Sequence, residues 1–206
     1  MPPTAPAPRP PAPAKLKILD VADRLFYSEG IHVVGVDRII SEAHVTKATF
    51  YKHYRSKDLL IVAYVEGRHR RTQLLINEAR ANLDESADVM RALAALIGHI
   101  ATRPGFHGCP FINAAAQFGD PEHPVRRAVA RHRAWERELL TEVVVELGHA
   151  HIEDTVDDLM LFRDGALSGS NVGDPVRAHH ALERAVERVI AESAGARRSG
   201  SARMTA

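Results

Sequence analysis

VTKATFYKHY, Val45 to Tyr54, is the stretch on which the reading of this chain turns. It holds two lysines, two tyrosines and a histidine, and no acidic residue. Thr46 is a good N-cap, because its hydroxyl can accept from a backbone N–H of the first turn. Counted from that cap, Val45 is N′ and Phe50 is N4. These are the two positions of a hydrophobic staple, which fixes the angle at which a chain enters a helix. At about 100° per residue, Phe50 and Tyr54 share one face and must look inward. Ala48, Thr49 and Lys52 look the other way, Tyr51 and His53 flank them, and Lys47 can reach outward from the first turn. So short a helix, wet on one side and anchored on the other, reads either as an ordinary solvated helix or as one with a partner on its wet side.

Working outward, the flanking segments read as helices of matching kind. Ile18, Leu19, Ala22, Leu25 and Phe26 make one apolar face over residues 15–29, with Gly30 as a stop. Val36, Ile39, Ile40 and Ala43 do the same in VDRIISEA. Ser56 can cap a fourth helix, with Asp58 well placed against its N-terminal dipole. Two helices, a tight turn and a short polar helix form a helix-turn-helix arrangement. Residues 15–57 carry eight Lys or Arg, Lys15 and Lys57 among them, against five Asp or Glu, while the whole chain has a formal charge of only +1. The basic excess is therefore local. The major groove of DNA admits one helix; small residues let a backbone approach base edges, and rim donors reach phosphates on both walls.

The stretch ILDVADRLFYSEG followed by VDRIISEAHVTKATFYKHYRSKDLL resembles the N-terminal domain of the TetR family of transcriptional regulators. Val45, Thr46, Lys47, Ala48, Thr49, Phe50, Tyr51, Lys52, His53, Tyr54, Ser56 and Lys57 answer the family's motif. The resemblance implies that Thr46, Lys47, Thr49, Tyr51, His53 and Lys57 contact DNA, with Tyr51 and His53 on phosphate. Lys15, Ala48 and Lys52 complete the candidate surface from the charge count and the helical wheel. Three positions depart from the family pattern. Gly35 replaces a Ser or Thr cap, Ile40 replaces a small residue, and His44 stands where the turn usually has Gly.

The rest of the chain reads as all-α, about nine helices in total, with further helices near 57–82, 86–102, 111–118, 123–147, 152–168 and 175–194. The breaks, such as RPGFHGCP and SGSNVGDP, are rich in Gly, Pro, Asn or Asp. The expected organisation is a Pro/Ala-rich tail over 1–14, the helix-turn-helix domain over 15–60, an effector and dimerisation domain over 61–194, and a tail over 195–206. One recognition helix reads few bases, so such modules work as symmetric dimers. The last two helices are the candidates, through Leu159, Phe162, Ala166 and Ser170 and through Val176, Ala178, Leu182, Ala185, Val189 and Ile190; the other reading is that both pack only on their own core. In TetR-like proteins these helices form a four-helix bundle with the partner subunit. Residues 105–118, GFHGCPFINAAAQF, combine apolar and polar groups as a small-molecule site does. Phe106, His107, Cys109, Phe111, Asn113 and Gln117 are the candidate lining, with Trp135 and Phe162. Trp135 reads equally as a helix anchor, and Cys109 as an inert core thiol.

Several function classes fall away. A single cysteine excludes an intrachain disulfide. No apolar run approaches the roughly 20 residues that cross a bilayer. The N-terminus lacks the apolar region of a secretory signal, which points to the cytoplasm. His107 with Cys109, His149 with His151 and His179 with His180 lack paired zinc-site spacing, so no metal and no cofactor are expected. The leading expectation is a ligand-responsive repressor released from a palindromic operator by a small molecule. The alternatives are an architectural DNA binder or a thiol sensor working through Cys109. An enzyme using Cys109 and His107 would lack an acidic orienter, an oxyanion loop and a phosphate cradle.

Overall fold

The computed structural model describes residues 12–204, with side chains through Ser193. Among the described residues there are nine α-helices and no strand. They are α1 (Pro13–Glu29), α2 (Val36–Glu42), α3 (Lys47–His53), α4 (Lys57–Arg80), α5 (Ser86–Ala101), α6 (Pro110–Ala116), α7 (Pro124–Glu146), α8 (Ile152–Val172) and α9 (Pro175–Met204). The described residues fall into two compact units, which divide between Tyr64 and Val65. The expected boundary, after residue 60, lies one helical turn too early. Leu60, Ile61 and Tyr64 are all buried, and the Tyr64 ring meets Phe26 edge-on at 5.7 Å. The first turns of α4 therefore belong to the first unit.

In that unit Pro13 opens α1 at a position where a missing N–H is harmless. The stripe Ile18, Ala22, Leu25 and Phe26 is buried, as the spacing predicts. Glycine is required at Gly30, whose φ is 98°. Charge then ties α1 to α2. Arg38 forks onto Glu29 and also bonds Glu42 at 3.0 Å, and Arg24 bonds Glu42. The hydrogen bonds from Arg24 and then Arg38 hold the Glu42 carboxyl below its ordinary range.

In the second unit α5, α7, α8 and α9 share an apolar core that includes Met90, Val143, Val144, Val156 and Leu159. Two helix ends differ from expectation. The SGSN stretch does not break α8, which runs on to Val172. Ser170 is buried there, and Gly169 faces Ala178 of α9, whose Cβ would stand 3.6 Å from a Cβ on Gly169, an ordinary contact. The break falls at Gly173. The tails expected over 1–14 and 195–206 lie partly outside the described residues. Within them, Pro13 and Ala14 are already helical and α9 continues to Met204. No helix among the described residues is long and apolar enough to cross a membrane.

Candidate nucleic-acid interface and a buried polar network

The turn into α3 is a Schellman motif. Ala43 caps α2, the His44 N–H donates to the Ser41 carbonyl, and the Val45 N–H donates to the Ile40 carbonyl, both at 3.2 Å. The motif needs a left-handed residue at its C′ position. That residue is His44, with φ 52°, alone in positive φ among the described non-glycine residues. The departure from glycine therefore leaves the turn intact and loads it with strain.

Next, the Thr46 hydroxyl accepts from the Thr49 N–H at 3.1 Å, so the cap forms as its sequence requires. The two threonine hydroxyls also lie 2.9 Å apart. Phe50 is fully buried and Val45 half-buried. Burying a phenylalanine contributes about 1.5–3 kcal/mol, enough to seat so short a helix. The Tyr54 hydroxyl donates to the Lys15 carbonyl at 3.3 Å, and Lys15 Nζ lies 5.8 Å from the Tyr54 ring centre. That contact brings the start of α1 beside the end of α3 and places Lys15 with the other candidates.

Thr46, Lys47, Ala48, Tyr51 and Lys52 are exposed, and Thr49, His53 and Lys57 partly so. Lys47 Nζ stands 3.8 Å from Asp37, an exposed pair that holds it only weakly. Lys57 is the first residue of α4, after the Ser56 cap, whose hydroxyl accepts from the Leu59 N–H at 3.2 Å. A cation there opposes the helix dipole, and burial pushes its pKa down. An anion at the helix start would relieve both effects.

The eight candidate effector residues do not form one group. Phe111 stacks on His132 with ring centres 3.3 Å apart, and Trp135 lies 5.7 Å from the same ring. Cys109 is buried and accepts a hydrogen bond from Arg163 at 3.5 Å. Phe162, by contrast, packs on the core of α5, α7, α8 and α9. The Asn113 amide donates to the His107 carbonyl at 2.6 Å, closing the loop before α6. Phe106 is half-buried, and His107 and Gln117 are exposed.

What the sequence reading missed is the polar network beneath Cys109. Arg163 Nη2 lies 2.7 Å from Glu136, and Arg163 Nη1 the same distance from Asp164. Asp164 takes both Arg133 nitrogens at 2.8 Å. His132, fully buried, has Nδ1 3.0 Å from His69 Nδ1 on α4. Its Nε2 stands 3.3 Å from Glu136 Oε1, near enough to favour a hydrogen on that nitrogen though off the ideal hydrogen-bond line. Burial works to raise the Glu136 carboxyl, but His132, Arg163 and Arg133 outweigh it and hold it below the usual range. Burial likewise opposes the Arg163 charge, and Cys109, Glu136 and Asp164 overcome it.

The last two helices sort their apolar residues differently from expectation. Leu159, Ala166, Ser170, Leu182, Ala185 and Val189 are buried within their own unit. The uncovered stripe of α8 is Leu161, Gly165, Ser168 and Val172; Leu161 is 67% exposed and Val172 85%.

Comparison with known proteins gives one answer. A family model of bacterial regulatory proteins, tetR family, matches residues 18–64. The crystal structure of a TetR-family transcriptional regulator from Streptomyces coelicolor superposes with a TM-score of 0.84 at 38% identity, over 87% of this chain and 95% of that one. An uncharacterised HTH-type transcriptional regulator of Mycobacterium tuberculosis is 34% identical over 86 residues, a match spanning 42% of this chain and 40% of that protein. Another from Bacillus subtilis is 26% identical over 143 residues, 66% of this chain and 73% of its own.

Proposed function

The chain belongs to the TetR family of transcriptional regulators, and from that premise we propose that it is a dimeric, cytoplasmic repressor released from a palindromic operator by a small molecule. It is a DNA-binding regulator and not an enzyme. The observation that carries the finer reading is α3, capped by Thr46 and anchored by Phe50, with Ala48, Tyr51 and Lys52 exposed and no acidic side chain. Thr46, Lys47, Ala48, Thr49 and Lys52 enter the major groove, and Tyr51, His53, Lys57 and Lys15 hold phosphates. The α8 stripe from Leu161 to Val172 meets its copy in a second subunit, with α9 beside it. The effector acts near Phe111, Trp135 and Cys109. It favours a conformer whose two recognition helices are mis-spaced, and it shifts the population by its differential affinity for that conformer.

Selection of bound sequences from a random DNA pool tests the reading. A two-fold symmetric site with half-sites about 34 Å apart is the expected product. Enrichment of a single asymmetric half-site would sink the dimeric operator, and no enrichment would sink the assignment of α3.

A further inference from the structure

The network under Cys109 contains a pair that neither the family motif nor the expected effector region uses. His69 on α4 and His132 on α7 face each other Nδ1 to Nδ1 at 3.0 Å, their rings edge to face at 80°. One hydrogen must sit between those atoms, so one ring donates and the other accepts. Glu136 Oε1, next to His132 Nε2, favours a hydrogen on that nitrogen. His132 Nδ1 is then the acceptor and His69 the donor. One added proton is tolerated: it gives one imidazolium bonded to one neutral ring. A second removes the last acceptor and leaves two cations in contact. We infer that His69 and His132 form a proton-operated latch between α4 and α7, closed while one ring is neutral and forced open when both are cations.

The surroundings fix the sign. On α4, Arg70 adds positive charge, and Glu66 is spent on Arg131 of α7 at 3.0 Å. On α7, Glu136 favours a cation, but it is shared with Arg133 and with Arg163 of α8, while Asp164 is occupied by both arginines. From α6 and its N-cap come the Phe111 face and Cys109. Burial first, then His132, Arg70 and Arg131, lowers the His69 pKa below its ordinary value, with Glu136 opposing. The stability this depressed pKa supplies is complete above pH 6.5, the unperturbed value, and drains as pH falls from there. The latched helix α4 also carries Lys57 at its start. Resting on the proposed function, the consequence is that acidification weakens operator binding.

Trp135, the one tryptophan of the chain, lies 5.2 Å from the His69 ring and 5.7 Å from the His132 ring. An imidazolium at that range quenches indole emission. The test titrates the full-length protein from pH 8 to 5 and follows Trp135 fluorescence, beside H69Q, whose amide can still donate to His132 but cannot titrate. Two quenching steps in the wild type, the second with a midpoint below about 6.5, and at most one in H69Q, where only His132 can still charge beside Trp135, are the expected result. No second step in the wild type, or the same two steps in both proteins, overturns the latch. If H69Q fails to fold, proton NMR of the wild-type imidazoles decides. Two rings titrating independently near their free value overturn the latch, and one ring held well below it supports it. Affinity for the selected operator is measured over the same range, with a wild-type loss of about tenfold expected and none in H69Q. Equal losses in both overturn the coupling to DNA. A fluorescence step in a protein that binds no DNA leaves the latch standing and removes the operator reading.

Discussion

His44 holds a left-handed backbone in a turn that normally relies on glycine. A left-handed L-residue costs roughly 1–2 kcal/mol, partly offset in a glycine by the greater freedom of its unfolded chain. His44→Gly should therefore stabilise the first unit by about 0.5–1 kcal/mol in urea unfolding. A loss of stability instead would mean that the histidine side chain makes a contact worth more than the strain. Tyr51 and Lys57 present the opposite case. Tyr51 is 43% exposed while its ring rests edge-on against Phe50 at 5.2 Å. The ring is thus seated for reasons of packing, and its hydroxyl is left for a partner. Tyr51→Phe and Lys57→Ala should each weaken operator binding about tenfold, the worth of one charge-assisted hydrogen bond. Lys57→Ala should also lower the salt slope by about one, whatever the base sequence. Gel shifts that find operator affinity unchanged in both variants would remove α3 and the start of α4 from the interface.

At the scale of helices, small residues decide how closely neighbours approach. A Cβ on Gly98 of α5 would lie 2.1 Å from the His179 ring of α9. The whole ring is in the way, and His179 already reaches Glu183 at 3.2 Å. Gly98→Ala should cost about 1–3 kcal/mol through overpacking, read as a lower urea midpoint with unchanged slope. The same logic explains what was legible. α3 was read correctly because capping, staple positions and helical wheel agreed within ten residues. The end of α8 was misplaced because Gly169 and Ser170 carry the composition of a break while lying inside the helix, Ser170 buried and Gly169 facing Ala178 of α9. The polar network was missed, although α7 held a sign of it. Val125, Val129, His132, Glu136, Leu139 and Val143 recur at spacings of three and four, and all are buried. Two titratable side chains on an otherwise apolar stripe announce a buried pair, but their partners, His69 and Arg163, lie too far along the chain for any local pattern to supply.

For the molecule as a whole, the remaining question is what covers α8. Its buried face fills the core of the second unit through Val156, Leu159, Ala166 and Leu167. Its other face carries Leu161, Gly165, Ser168 and Val172 at spacings of four, three and four, none of them charged. Next along the chain, Val176 is 50% exposed. A helix in a single folded unit has little reason to keep an uncharged stripe in water; a second copy placing its own stripe there would remove both from solvent at once, as two-fold symmetry requires. Leu161→Arg puts a cation on that contact and, by symmetry, a second one from the other copy. The variant should run as a monomer in analytical ultracentrifugation, with a melting temperature that no longer depends on protein concentration. Its affinity for the full palindrome should fall by roughly 100-fold or more, since linked binding of two half-sites is lost. Binding to an isolated half-site should stay as it was. A Leu161→Arg protein that remains dimeric at micromolar concentration would move the interface off α8, and one that is monomeric yet binds the palindrome normally would separate dimerisation from operator recognition.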